Sequence, residues 1–122
     1  MSLEPRLQLL AESGQISPLV AELTREVMRK VEAAYHIELT EENGAMFVTH
    51  LAVALERLRT GQAISEMPEA ALAEVKAYTR EWQFMSEVAR ETAERLHVQV
   101  PEGEVGFLTA HLATLVHGGD QV

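Results

Sequence analysis

The sequence predicts an all-α fold, a compact antiparallel bundle of about five helices. Apolar residues recur at helical spacing through several long segments and nowhere alternate over enough residues to make a sheet. Helix-start signals (Ser17-Pro18, Thr40, Pro68, Pro101) and helix-stop signals (Gly61, Gly118-Gly119) bracket those segments. A chain of 122 residues, 47% hydrophobic and 24% charged, is long enough to bury one core without disulfides or metals.

In chain order, a short amphipathic piece at residues 5–12 precedes the turn signal Ser13-Gly14. Ser17 as N-cap and Pro18 as first helical residue open a helix running to about Tyr35, with Val20, Leu23, Val27 and Val31 inward. Residues 36–39 form a connector. Thr40 caps a helix from Glu41 to Thr60, and Gly61 ends it. Residues 62–67 are a loop closed by Pro68, which starts a third long helical region. That region breaks or bends near residues 78–80 and resumes from Glu81 to Leu96. Residues 98–100 read as a short β-prone bridge before Pro101, which opens the last helix at 102–116. The expected organisation is an N-terminal helical extension (1–15), a single helical domain (16–117) and a flexible tail (118–122).

Composition narrows the function classes. No apolar run reaches transmembrane length, and Glu4, Arg6 and Gln8 interrupt the stretch a signal peptide would need. With no cysteine, disulfides, thiolate metal sites and cysteine nucleophiles are excluded. A cytoplasmic protein is expected. The formal charge of −9 opposes direct nucleic-acid binding, since phosphate neutralisation supplies most of that affinity. Arg25, Arg29 and Lys30 are interleaved with Glu22, Glu26 and Glu32, as on a solvated face.

The tripeptide His-Leu-Ala occurs twice, at His50 and at His111, each time one helical turn after a phenylalanine (Phe47, Phe107). Helical geometry puts Phe47, His50, Leu51, Ala54, Leu55 and Leu58 on one stripe, and Phe107, Leu108, His111, Leu112 and Leu115 on another. Two imidazoles are thus expected on apolar faces. Arg57 lies seven residues after His50 and Glu104 seven before His111, so each histidine shares its stripe with one charged group. Arg57 suits a phosphate or carboxylate, whereas Glu104 also fits a first-turn capping carboxylate. The doubled tripeptide alone is too short to define an internal repeat.

Other chemistries lack their residues. Zinc sites on helices favour histidines four apart, but His111 and His117 are six apart, His36 and His97 fall in connectors, and no H-E-x-x-H occurs. No metal or other cofactor is expected. A serine nucleophile would need a constrained turn such as G-x-S-x-G, which is missing, and Glu41, Glu42, Glu102 and Glu104 read as helix N-terminal acids. Trp82 and Phe84 read as anchors of the third helical region, and the methionines as core filler. Histidine as a phosphoacceptor remains, in a regulatory protein that is not an enzyme.

The segment from Phe47 through Thr49-His50-Leu51-Ala52 to Arg57, followed by Gly61, resembles the first histidine signature of the PRD family. These are the phosphotransferase-system regulation domains of bacterial antiterminators and transcriptional activators. Pro101-Glu102-Gly103-Glu104-Val105-Gly106-Phe107-Leu108-Thr109-Ala110-His111 resembles the second. The resemblance spans residues 18–116 and implies an all-α domain phosphorylated on histidine by the histidine phosphocarrier protein or sugar-specific transport components. It implies His50 and His111 as phosphoacceptors, with Arg57 and Glu104 at the charged positions of the two motifs. It also implies a homodimer whose assembly controls transcription or antitermination. Thr49 stands where the family usually has Asp. Met67-Pro68 replaces a common Asn-Pro, and Tyr78-Thr79 a Tyr-Pro. No effector domain or second copy lies within this sequence, so either a fragment or a stand-alone domain acting through a partner is expected, the Met1 start and Gly-rich end favouring the second. The alternative is a degenerate PRD serving only as a non-phosphorylated dimerisation or interaction module, which Thr49 favours. A third reading is a bundle binding a metal or small ligand between its histidine-bearing helices.

Overall fold

A computed structural model describes residues 2–62 and 66–118. Among them the regular structure is entirely helical: α1 (Glu4–Glu12), α2 (Pro18–Tyr35), α3 (Glu41–Arg59), α4 (Glu69–Lys76), α5 (Thr79–Leu96) and α6 (Glu102–His117). The all-α expectation holds, with six helices where about five were expected. The region after Pro68 splits at Tyr78, whose ψ of 73° is not helical, into α4 and α5. Residues 98–100 form no strand. They join a left-handed residue, His97, to an extended one, Pro101, with no neighbouring strand to pair with. Gly119 and the rest of the expected tail lie outside the described residues, as do residues 63–65 of the expected loop.

The helix ends follow local chemistry. Ser17 Oγ accepts from the Val20 N–H at 3.1 Å, closing the N-terminus of α2. At α3, Thr40 Oγ1 accepts from the Asn43 N–H at 3.4 Å while the Thr40 N–H donates to Asn43 Oδ1 at 2.8 Å, a reciprocal cap. The far end of α3 turns on Gly61 (φ 76°), with Gly61 N–H to the Leu58 carbonyl and Gln62 N–H to the Arg57 carbonyl. That pair of bonds is a Schellman stop.

The chain divides into two compact units, Met1–Glu56 and Arg57–Val122, with the boundary inside α3. In the first unit α1 packs on α2, and Leu3, Leu7, Val20, Val31, Val48, Leu51 and Leu55 are fully buried. Burying a leucine contributes roughly 1.5–3 kcal/mol, so Leu3 and Leu7 make α1 part of this core. In the second unit α4, α5 and α6 pack on one another around Met85, Val88, Leu108 and Leu112.

The two units share one register. Pro18 and Thr79, Tyr35 and Leu96, and Glu41 and Glu102, which bound α2, α5, α3 and α6, are each 61 positions apart. So are His36 and His97, the left-handed C-caps of α2 and α5 (φ 56° and 57°), and so are His50 and His111. Ile37 N–H bonds the Glu32 carbonyl, and Val98 N–H bonds the Ala93 carbonyl, again one shift apart. The doubled tripeptide is therefore the visible tip of a repeated 18-residue helix, connector and histidine-bearing helix.

Candidate functional site

His50 stands on α3, exposed, while Phe47, Val48, Leu51, Ala54, Leu55 and Leu58 around it are buried. The expected placement on the apolar face is corrected here. The buried residues centre on Leu51, and the preceding residue is turned about 100° away, to the edge of that face. His50 helps line a cleft of about 470 Å³ together with Arg6, Glu41, Glu42, Met46 and Thr49. Met46 projects from the same helix and is 71% exposed.

Arg6, from α1, dominates the charge of this cleft. Its Nε donates to both Glu41 carboxylate oxygens at 3.0 and 3.2 Å, and its Nη2 also bonds Glu41. Its Nη1 donates to Thr49 Oγ1 at 3.3 Å, beside His50. The hydrogen bond to Glu41 holds the Arg6 guanidinium above its ordinary pKa, and the same bond pulls the Glu41 carboxyl below its own. A second ion pair, Arg25 to Glu4 at 2.6 Å, joins α2 to α1.

His111 occupies the matching edge of α6, half-buried, one residue before the fully buried Leu112. Glu104, expected in register with it, is completely buried, and its Oε1 lies 3.7 Å from Arg57 Nη2. That distance is an ion pair but is long for a hydrogen bond. Arg57 Nε and Thr109 Oγ1 are buried without hydrogen-bond partners. The structure therefore joins Arg57 to Glu104, which the sequence assigned to different histidines. It makes Glu104 a buried ionic partner as well as a first-turn acid.

Three further features escaped the sequence reading. Arg6 falls in the terminal segment, and no spacing rule links it to Thr49, 43 residues away. Glu81 is 4% exposed and lies 3.5 Å from His117 Nε2, while the His117 ring stacks on Tyr78 with centroids 5.7 Å apart. Lys76 sits 5.2 Å from the centre of a Trp82 ring and pairs with Glu102 at 3.0 Å. Among the described residues no group of three or more His, Asp or Glu is placed to hold a metal ion, and no helix is long and apolar enough to cross a membrane.

The family model for the PRD domain matches residues 25–115. The uncharacterized protein YhfY of Escherichia coli (strain K12) is 32% identical over 110 residues, covering 90% of this chain and 91% of that one. No solved structure matches the chain. With three-quarters of its length inside the family match and both histidines within it, this helical chain belongs to the PRD family, a regulatory domain type governed by the sugar phosphotransferase system.

Proposed function

We propose that this chain is a regulatory domain whose His50 and His111 accept phosphoryl groups from the phosphotransferase system. The observation that carries the reading is that the family match, residues 25–115, takes in both histidines together with Arg57 and Glu104. The exposure of His50 supports it, since a donor protein must reach the imidazole. The donor is the histidine phosphocarrier protein or a sugar-specific transport component. In the transfer, a lone pair on a histidine ring nitrogen attacks phosphorus as the P–N bond to the donor's imidazole breaks. The electron pair returns to the donor ring, which takes up a proton, and the acceptor ring gives one to solvent.

The product carries a charge of about −1.5 to −2 on a helix surface. In this reading that charge shifts a monomer–homodimer equilibrium in the cytoplasm and, through a partner protein, transcription or antitermination. Incubation with phosphoenolpyruvate and the general phosphotransferase proteins tests it. Acid-labile phosphate should appear and be lost from the His50→Gln/His111→Gln double variant, and sedimentation should report a changed oligomeric state. No label, or label persisting in the double variant, overturns the assignment and leaves a helical interaction module.

A further inference from the structure

We propose that Arg6 is the phosphoryl-binding residue of the His50 site, exchanging Glu41 for the phosphoryl group once His50 carries it. The inference rests on the reading of His50 as a phosphoacceptor. Arg6 and His50 line one cleft of about 470 Å³, and Arg6 already reaches Thr49, the residue before His50. At rest its guanidinium is neutralised by the single charge of Glu41. A phosphoryl group on His50 would place nearly twice that charge in the same cleft, with three oxygens that match the guanidinium fork. Glu41 and Glu42 also line the cleft, so a new anion there would face two carboxylates unless a cation lies against it. Glu41, whose side chain is 37% exposed, can turn to water. Only ion pairs are exchanged in this step, with no covalent bond made or broken.

The second unit supplies the contrast. The register that carries α2 onto α5 and α3 onto α6 carries Glu41 onto Glu102 and Glu42 onto Gly103. Met67, Glu102 and Gly103 line a cleft of their own, about 500 Å³. There the Met67 thioether packs where a Cβ on Gly106 would fall, and Glu102 pairs with Lys76. The carboxylate that starts α3 thus meets a guanidinium from α1, and the one that starts α6 meets an ammonium from α4.

The test uses His111→Gln protein phosphorylated chemically with phosphoramidate, which needs no donor protein. The ring nitrogen attacks phosphorus, the P–N bond of phosphoramidate breaks, and ammonia leaves with the displaced proton. The phosphorus resonance missing from the His50→Gln variant belongs to His50, and its pH titration is the readout. Relative to the Arg6-containing protein, Arg6→Gln should raise the phosphoryl titration midpoint by roughly 0.5 pH unit or more. Glu41→Gln should lower it, and Arg6→Lys should fall between. A purely structural role for the ion pair would move Arg6→Gln and Glu41→Gln in the same direction. That outcome, no movement in Arg6→Gln, or no His50 resonance at all overturns the proposal. The expected titrations without enzymatic labelling of His50 would remove the donor reading and leave Arg6 in place. Enzymatic labelling with Arg6→Gln inert would do the reverse.

Discussion

The Arg57 guanidinium lies 3.7 Å from the Glu104 carboxylate, yet the two partners differ sharply in exposure, 34% against 1% of their side chains. A charge stripped of water depends on its partner far more than one that keeps part of its hydration. Arg57→Met should therefore destabilise the fold by about 3–5 kcal/mol, because it takes a cation away from a carboxylate that has no water to replace it. Glu104→Gln should cost less, about 1–2 kcal/mol, since water still reaches Arg57. Urea unfolding of both variants measures the difference, and equal costs would mean that burial does not set the asymmetry.

Three of the left-handed helix stops, Gly61, His36 and His97, should respond in opposite directions. Gly61 sits at φ 76° with open space around its Cβ position, so Gly61→Ala meets only backbone strain and should cost about 1 kcal/mol. His36 and His97 hold φ 56° and 57° with a side chain attached, so His36→Gly and His97→Gly should each stabilise by about 0.5 kcal/mol. Melting temperatures of the three variants check this.

A Cβ at Gly106 would lie 2.5 Å from Met67 Sδ and 3.1 Å from Leu72 Cδ1. Gly106→Ala gains about 1 kcal/mol of helix propensity and must spend it displacing Met67. In the natural background the substitution should be neutral to destabilising. Made on top of Met67→Ala, it should stabilise by up to about 1 kcal/mol. A double-mutant cycle in denaturant reads the coupling, and strict additivity would contradict the contact.

Acid should dissolve the α1–α3 tie in a defined range. The hydrogen bond from Arg6 holds Glu41 below its ordinary value of 4.5 in the folded protein. A carboxylate depressed on folding adds stability that is complete above its unfolded pKa and vanishes as the pH falls through its folded one. The stability gap between wild type and Glu41→Gln should stay constant from neutral pH down to about pH 5 and close below the ordinary glutamate range. Thermal melts across that range test it, and a gap that widens on acidification would show the wrong sign.

Local chemistry made most of the helices readable. Ser17, Thr40, Gly61 and Pro101 act within a few residues of themselves, so their roles follow from the residues alone. The break at Tyr78 was legible too, and of the break or bend expected there the structure takes the break, giving two packed helices. The site was less legible. Periodicity placed His50 and His111 near apolar stripes but could not fix which residue takes the centre, and Leu51 and Leu112 do. Ion pairs between residues far apart in sequence, Arg6 with Glu41 and Arg57 with Glu104, leave no periodic trace. The repeat was hidden because side chains diverged between the copies, while helix ends and left-handed histidines kept step.

That 61-residue step gives the molecule an internal control. A substitution in the helix, connector and histidine-bearing helix of one copy has a counterpart in the other, made in the same chain against the same unfolded ensemble. Errors from the reference state, which trouble comparisons between proteins, then largely cancel. Whatever difference survives between a position and its twin reports local surroundings alone, such as those of His36 and His97.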